Sequence, residues 1–125
     1  EILDKAKSLM KQLGLHYRVS NLAAGDDAFA MSRTFDIEVY LPSIDIYKEV
    51  SSVSNSKDFQ ARRGLIRFRN AEGKVEYCHT LNGSGLATSR LVPAILEQYQ
   101  QADGSVKIPE VLVPYMNGLK VIKVG

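Results

Sequence analysis

The chain of 125 residues has one cysteine, Cys78, and only two histidines, His16 and His79. A lone thiol excludes an internal disulfide and leaves no thiolate cluster for zinc. It fits a reducing compartment. The two histidines are far apart in sequence and have no supporting ligands nearby, so they do not suggest a metal pair. Apolar runs are short, none approaching the ~20 residues that a membrane span needs. Glu1, Asp4, Lys5, Lys7 and Lys11 break up the N-terminus, which removes the apolar centre of a signal peptide. Excess charge is also small. A net charge of +2 is too little to argue for nucleic-acid binding by itself. Neither Gly-x-Gly-x-x-Gly nor Gly-Lys-Ser/Thr occurs, which excludes Rossmann and P-loop phosphate sites. No repeat or low-complexity tract is present.

What remains is ordinary globular material, 45% apolar and 24% charged, of a size for one small domain. Ile2, Ala6, Leu9, Met10 and Leu13 share a helical face that Gly14 can close. Residues 15–22 read as a strand. Residues 23–33 are ambiguous, with a turn at Gly25-Asp26-Asp27 and a short helix over 28–32. Phe35, Ile37, Val39 and Leu41 alternate with Asp36, Glu38 and Tyr40, the pattern of a half-buried strand stopped by Pro42. A second strand covers 47–54. Asn55 or Ser56 is expected to cap a short helix over 57–63. Segments 65–69 and 75–81 flank Asn70-Ala71-Glu72-Gly73 as a hairpin. The longest helix spans 86–101 and tolerates Pro93. Short extended pieces follow at 106–108 and 111–113. The sum is an antiparallel sheet with helices on one side, an α+β fold.

The most informative stretch runs His79-Thr80-Leu81-Asn82-Gly83-Ser84-Gly85-Leu86-Ala87-Thr88-Ser89-Arg90. A strand feeds two glycines and then a helix with an arginine in its first turns. Glycines let a ligand approach the backbone. Asn82 and Ser84 offer donors and acceptors at the turn, the helix N-terminus suits phosphate, and Arg90 can stack or fork onto phosphate oxygens. Glu49 lies mid-strand in Lys48-Glu49-Val50-Ser51-Ser52, where a carboxylate and hydroxyls are hard ligands suited to magnesium beside phosphates. Taken residue by residue, a solvated strand glutamate, turn-forming Asn82 and Ser84, and a surface Arg90 account for the same sequence. For Arg62 and Arg63 the favoured role is ion pairing and stem packing.

The runs Glu49-Val50-Ser51-Ser52-Val53-Ser54-Asn55 and Asp58-Phe59-Gln60-Ala61-Arg62-Arg63 precede the glycine segment. Gln100-Gln101-Ala102-Asp103-Gly104 and Ile108-Pro109-Glu110-Val111-Leu112 follow it. In this order and spacing they resemble the C-terminal part of the catalytic domain of the standard bacterial seryl-tRNA synthetases, from about Gly14 to Leu119. The resemblance implies a partial class II synthetase fold over residues 1–125. It implies a serine–tRNA ligase that makes seryl-adenylate from serine and ATP and passes it to the 3′-end of tRNA(Ser). It places ATP at Glu49, Val50, Ser51, Ser52 and Arg90, Mg2+ at Glu49 and Ser52, and serine at Asn82 and Ser84. Arg90 would be the catalytic arginine that stacks on adenine and reaches the γ-phosphate. Strict alternation puts Glu49 and Ser52 on opposite faces, so a bulge near Ser51 is expected.

The first two class motifs, the Thr-x-Glu loop for the substrate ammonium and the coiled-coil arm are not in these 125 residues. The chain therefore reads as a piece of a longer, cytoplasmic, homodimeric ligase and is expected to be inactive alone. A paralogue that keeps the nucleotide site without charging tRNA is the alternative.

Overall fold

The computed structural model describes residues 1–22 and 33–125. The turn and short helix expected within 23–32 lie outside the described residues.

Helix α1 (Ile2–Gln12) buries Ala6 and Met10. It ends in a Schellman arrangement: Gly14 N donates to Lys11 O (3.0 Å) and Leu15 N to Met10 O (3.2 Å). Gly14 adopts φ +64°, a conformation that costs any side-chain-bearing residue. Strands β1 (Tyr17–Asn21), β2 (Arg33–Leu41), β3 (Ile46–Lys57) and β6 (Thr80–Gly83) form one antiparallel sheet in the order β1-β2-β3-β6. A single 3-10 turn, Pro42–Ile44, joins β2 to β3.

One face of this sheet is apolar. Ile37, Val39, Leu41 and Val50 meet Ala6, Met10 and Leu13 of the α1 segment and Ala94 of α3 (Thr88–Tyr99) in the main core. Each of the Ile, Val, Leu and Met side chains removed from water contributes about 1.5–3 kcal/mol. Phe35, expected in that core, is only half-buried under the Arg33 guanidinium (4.7 Å), beside the start of α1. Gly83 lets α1 close on the sheet edge, since a Cβ there would stand 2.7 Å from Ile2 Cγ2.

Helix α3 is bolted to the sheet by polar groups. Gln98 accepts from His16 N (2.8 Å) and donates to Tyr40 O (2.8 Å); Glu97 accepts from Ser43 N and Oγ (3.0 and 2.8 Å). Tyr99 Oη donates to Leu13 O at 2.6 Å. The helix continues through Pro93.

Four expectations need correction. The segment 75–81 is not one strand: β4 (Arg67–Arg69) and β5 (Val75–Tyr77) form the hairpin, and the chain then leaves it for β6 in the main sheet. Cys78, half-buried, lies between these strands rather than within one. Helix α2 (Phe59–Gly64) has Asp58 at its N-cap, not Asn55 or Ser56. Asn55 Oδ1 instead accepts from Lys57 N (2.8 Å), the residue at φ +45° where β3 ends. Residues 111–113 are not extended but lie in a 3-10 helix, Glu110–Met116, with Pro109 at its N-cap and Pro114 inside it. The strand that pairs with β7 (Val106–Lys107) is β8 (Val121–Ile122), which the sequence reading did not anticipate.

Candidate nucleotide and substrate site

The site grows from a defect in β3. Ile37 pairs with Ser51, but the next residue, Glu38, pairs with Glu49, which leaves Val50 as an extra residue. This is a β-bulge. Asp36 and Glu38 share a face of β2, so their partners Ser52 and Glu49 share it too. The side chains of Val50 and Ser51 are both fully buried. What those two residues offer a ligand is therefore backbone.

The loop 84–87 and the start of α3 are tied to this bulge. Ser51 Oγ donates to Ser84 O at 2.6 Å, and Ala87 N donates to Val50 O at 2.6 Å. Ser52 N reaches Ser84 Oγ at 3.4 Å. Arg90 Nη1 donates to Glu49 O at 2.8 Å and stands 3.8 Å from Glu49 Oε2. Both side chains of that pair are more than two-fifths exposed, so their attraction is weak and the groups stay open to a ligand. Asn82 is exposed and pairs in register with Ser54, on the face of Ser52. The structure thus brings Glu49, Ser52, Ser84 and Arg90 together, with Asn82 two residues before Ser84.

The polar face extends across β2 to β1. Glu38 accepts from Arg18 Nε and from Ser20 Oγ (2.9 Å). The hydrogen bond from Arg18, helped by that from Ser20 and opposed by burial, holds the Glu38 carboxyl below the usual carboxylate range. The Arg18 guanidinium lies 4.2 Å above the Tyr47 ring, whose hydroxyl is 2.7 Å from His16 Nε2. Thr34 Oγ1 and Ser54 Oγ are hydrogen-bonded at 3.0 Å. Asp36 Oδ1 is buried and has no hydrogen-bond partner among the described residues. Sequence reasoning passed over Asp36, Glu38, Arg18 and Ser20. The only signal was the polar half of the β2 alternation, which looks the same for a wetted face and for the floor of a site. Arg62 and Arg63 fit the structural role: Arg62 Nε lies 3.5 Å from Asp58 Oδ2, and Arg63 stands over the Phe59 ring at 5.8 Å.

Among the described residues no three His, Cys, Asp or Glu side chains are grouped to hold a metal unaided. Glu49 and Ser52 supply one carboxylate and one hydroxyl on a common face. That donor set fits magnesium, which takes one or two protein oxygens and fills the rest of its shell from phosphates and water. No helix among the described residues is long and apolar enough to cross a membrane.

An antiparallel sheet with flanking helices is the catalytic fold of class II aminoacyl-tRNA synthetases. The chain belongs to that family: residues 1–99 match the model of the tRNA synthetase class II core domain (G, H, P, S and T). Among its relatives, it is 60% identical over 119 residues to the serine–tRNA ligase of Herminiimonas arsenicoxydans, covering 95% of this chain and 28% of that protein. It is 61% identical over 117 residues to the serine–tRNA ligase of Pelotomaculum thermopropionicum, covering 94% of this chain and 28% of that one. In three dimensions it is similar to the seryl-tRNA synthetase of Pyrococcus horikoshii complexed with ATP. That match has a TM-score of 0.91 and 43% identity over 99% of this chain and 28% of the other. The chain therefore spans under a third of the length of the curated relatives it matches.

Proposed function

We propose that the chain is the C-terminal portion, residues 1–125, of the catalytic domain of a serine–tRNA ligase. That enzyme joins serine to ATP as seryl-adenylate and transfers the seryl group to tRNA(Ser). The observation that carries this reading is the convergence of Glu49, Ser52, Ser84 and Arg90 at one bulged strand. The named relatives and the ATP-bound structural neighbour support it.

The carboxylate of serine attacks the α-phosphorus of ATP and pyrophosphate leaves. No protein nucleophile is required; positioning and charge neutralisation lower the barrier. Glu49 and Ser52 would hold Mg2+, which neutralises phosphate charge when bound. Arg90, free to leave the Glu49 carbonyl, offers a planar cation for adenine and phosphate oxygens. Ser84 and Asn82 line the turn where the serine hydroxyl is read. A site built to hydrogen-bond a hydroxyl rejects an analogue lacking it, because its polar groups are left unpaired. The whole enzyme would be a cytoplasmic homodimer.

The test is serine-dependent pyrophosphate exchange. A full-length protein carrying this segment should exchange with serine and not with alanine, and the 125-residue chain alone should not exchange. Absence of serine-dependent exchange in the full-length protein would overturn the assignment.

A further inference from the structure

Asp36 sits in the middle of β2, on the polar face, with Ser20 of β1 opposite on one side and Ser52 of β3 opposite on the other. Its Oδ1 is buried without a hydrogen-bond partner among the described residues. A buried acceptor left unsatisfied costs about 1–3 kcal/mol, so such an atom calls for a donor.

The neighbouring hydroxyls of Ser20, Thr34 and Ser54 each take part in a hydrogen bond among the described residues, and that of Ser52 does not. The Ser20 hydroxyl donates to Glu38. Thr34 and Ser54, next along the same face, are hydrogen-bonded to each other. Arg18 is engaged with Glu38. Ser52 uses its backbone amide toward Ser84 Oγ, and its hydroxyl makes no hydrogen bond to the described residues. The unpaired donor and the unpaired acceptor are therefore direct cross-strand partners. Side chains so placed have Cβ atoms about 4.5–5.5 Å apart, which a rotation about each χ1 closes to hydrogen-bond distance.

The geometry points to Asp36 as the positioning residue of Ser52. This inference rests on the reading of Glu49 and Ser52 as the cation-holding pair. A serine hydroxyl has one proton and two lone pairs. Free in solution it can turn its proton toward a cation, the wrong way round. Donating that proton to Asp36 Oδ1 turns both lone pairs outward, toward the side that Glu49 shares. The bond also satisfies the buried carboxyl oxygen. Asp36 then acts on the bound cation only through Ser52, as outer-shell carboxylates fix the orientation of ligating groups elsewhere.

The test is Mn2+ affinity, measured by electron paramagnetic resonance in the presence of a non-hydrolysable ATP analogue. It is made on a full-length ligase carrying this segment. Asp36→Ala should weaken Mn2+ binding about tenfold. Asp36→Asn keeps an acceptor oxygen at the same place and should stay within about threefold of the parent. In a Ser52→Ala background, Asp36→Ala should have no further effect, a coupling that a purely structural role would not produce. Equal effects of Asp36→Ala with and without Ser52 would overturn the inference. So would Asn binding as poorly as Ala, because charge rather than the acceptor would then be responsible. If the parent enzyme itself failed to bind Mn2+ with the analogue, the cation-site reading would fall and this inference with it.

Discussion

Ser51→Ala separates a clamp from a ligand. Ser51 is fully buried, and its hydroxyl donates to the backbone carbonyl of Ser84 at 2.6 Å. Removing it deletes one short hydrogen bond and leaves a void the size of a hydroxyl. The expected loss is about 1–2 kcal/mol, or a fall in Tm of about 4–8 °C for a domain of this size. Ser84→Ala makes a useful contrast, because the clamp ends on the Ser84 carbonyl and not on its hydroxyl. Ser84 is exposed and, among the described residues, its Oγ makes only a 3.4 Å contact with Ser52 N, so that variant should melt within about 2 °C of the parent. The two should reverse in function. In the full-length ligase, Ser84→Ala should reduce serine discrimination directly, whereas Ser51→Ala should raise KM for both serine and ATP through a loosened loop. Thermal unfolding followed by circular dichroism, with pyrophosphate-exchange kinetics, measures both. An unshifted Tm for Ser51→Ala, or equal melting of the two variants, would refute the clamp.

Three further outcomes follow from the same contacts. Gly14→Ala must bear φ +64° and place a Cβ 2.5 Å from Tyr99 Oη, which expels that hydroxyl from Leu13 O. Strain and the lost bond together should cost about 2–3 kcal/mol. In a Tyr99→Phe background only the strain of about 1–2 kcal/mol should remain, read from urea midpoints. Glu38 titrates below its ordinary value in the fold, chiefly because of the Arg18 hydrogen bond. Its contribution is thus fully present above the ordinary value of 4.5 and is lost as pH falls through the depressed one. Glu38→Gln should flatten the acid limb of the stability curve. Arg90→Lys keeps the charge but loses the planar fork, and kcat/KM for ATP should fall about 10- to 100-fold while thermal stability is nearly unchanged.

The sequence foretold features that depend on local chemistry. The 3.6-residue spacing of Ala6 and Met10 and the glycine after Leu13 specify α1 and its end, and the alternation from Ile37 to Leu41 specifies β2. The bulge was legible only because Glu49 and Ser52 were expected to act together, and it lies one residue before Ser51. Less legible were features decided at long range. Nothing in residues 75–81 marks where hairpin pairing stops and main-sheet pairing starts, because both halves have strand character. Residues 111–113 are apolar and lie between prolines, which suits an extended piece equally well. The observed 3-10 helix is selected because Val111 and Leu112 turn inward onto the core, while Leu112 N closes on Pro109 O at 2.9 Å. The value of Asp36 was hidden for a similar reason. A polar residue facing outward on an amphipathic strand looks solvated until its neighbours prove to be spoken for.

The bulge does more than align two side chains. In a regular strand, successive carbonyls point to opposite edges, so a helix approaching one edge meets only every second acceptor. Here the carbonyls of Glu49 and Val50 both accept from the start of α3, one from Arg90 and the other from Ala87 N. Strand β6 stops pairing at Val53, which leaves that stretch of the β3 edge open to the helix. One inserted residue therefore lets the same four residues anchor α3, bury Val50 and Ser51, and turn Glu49 and Ser52 to a common side. Deleting Val50 would leave Glu49 and Ser52 two residues apart and still on one face, but it would remove the buried Val50 side chain and the carbonyl that accepts from Ala87 N. A single local irregularity in the sheet thus ties the seating of α3 to the strand that carries Glu49 and Ser52, and α3 is expected to loosen on its loss.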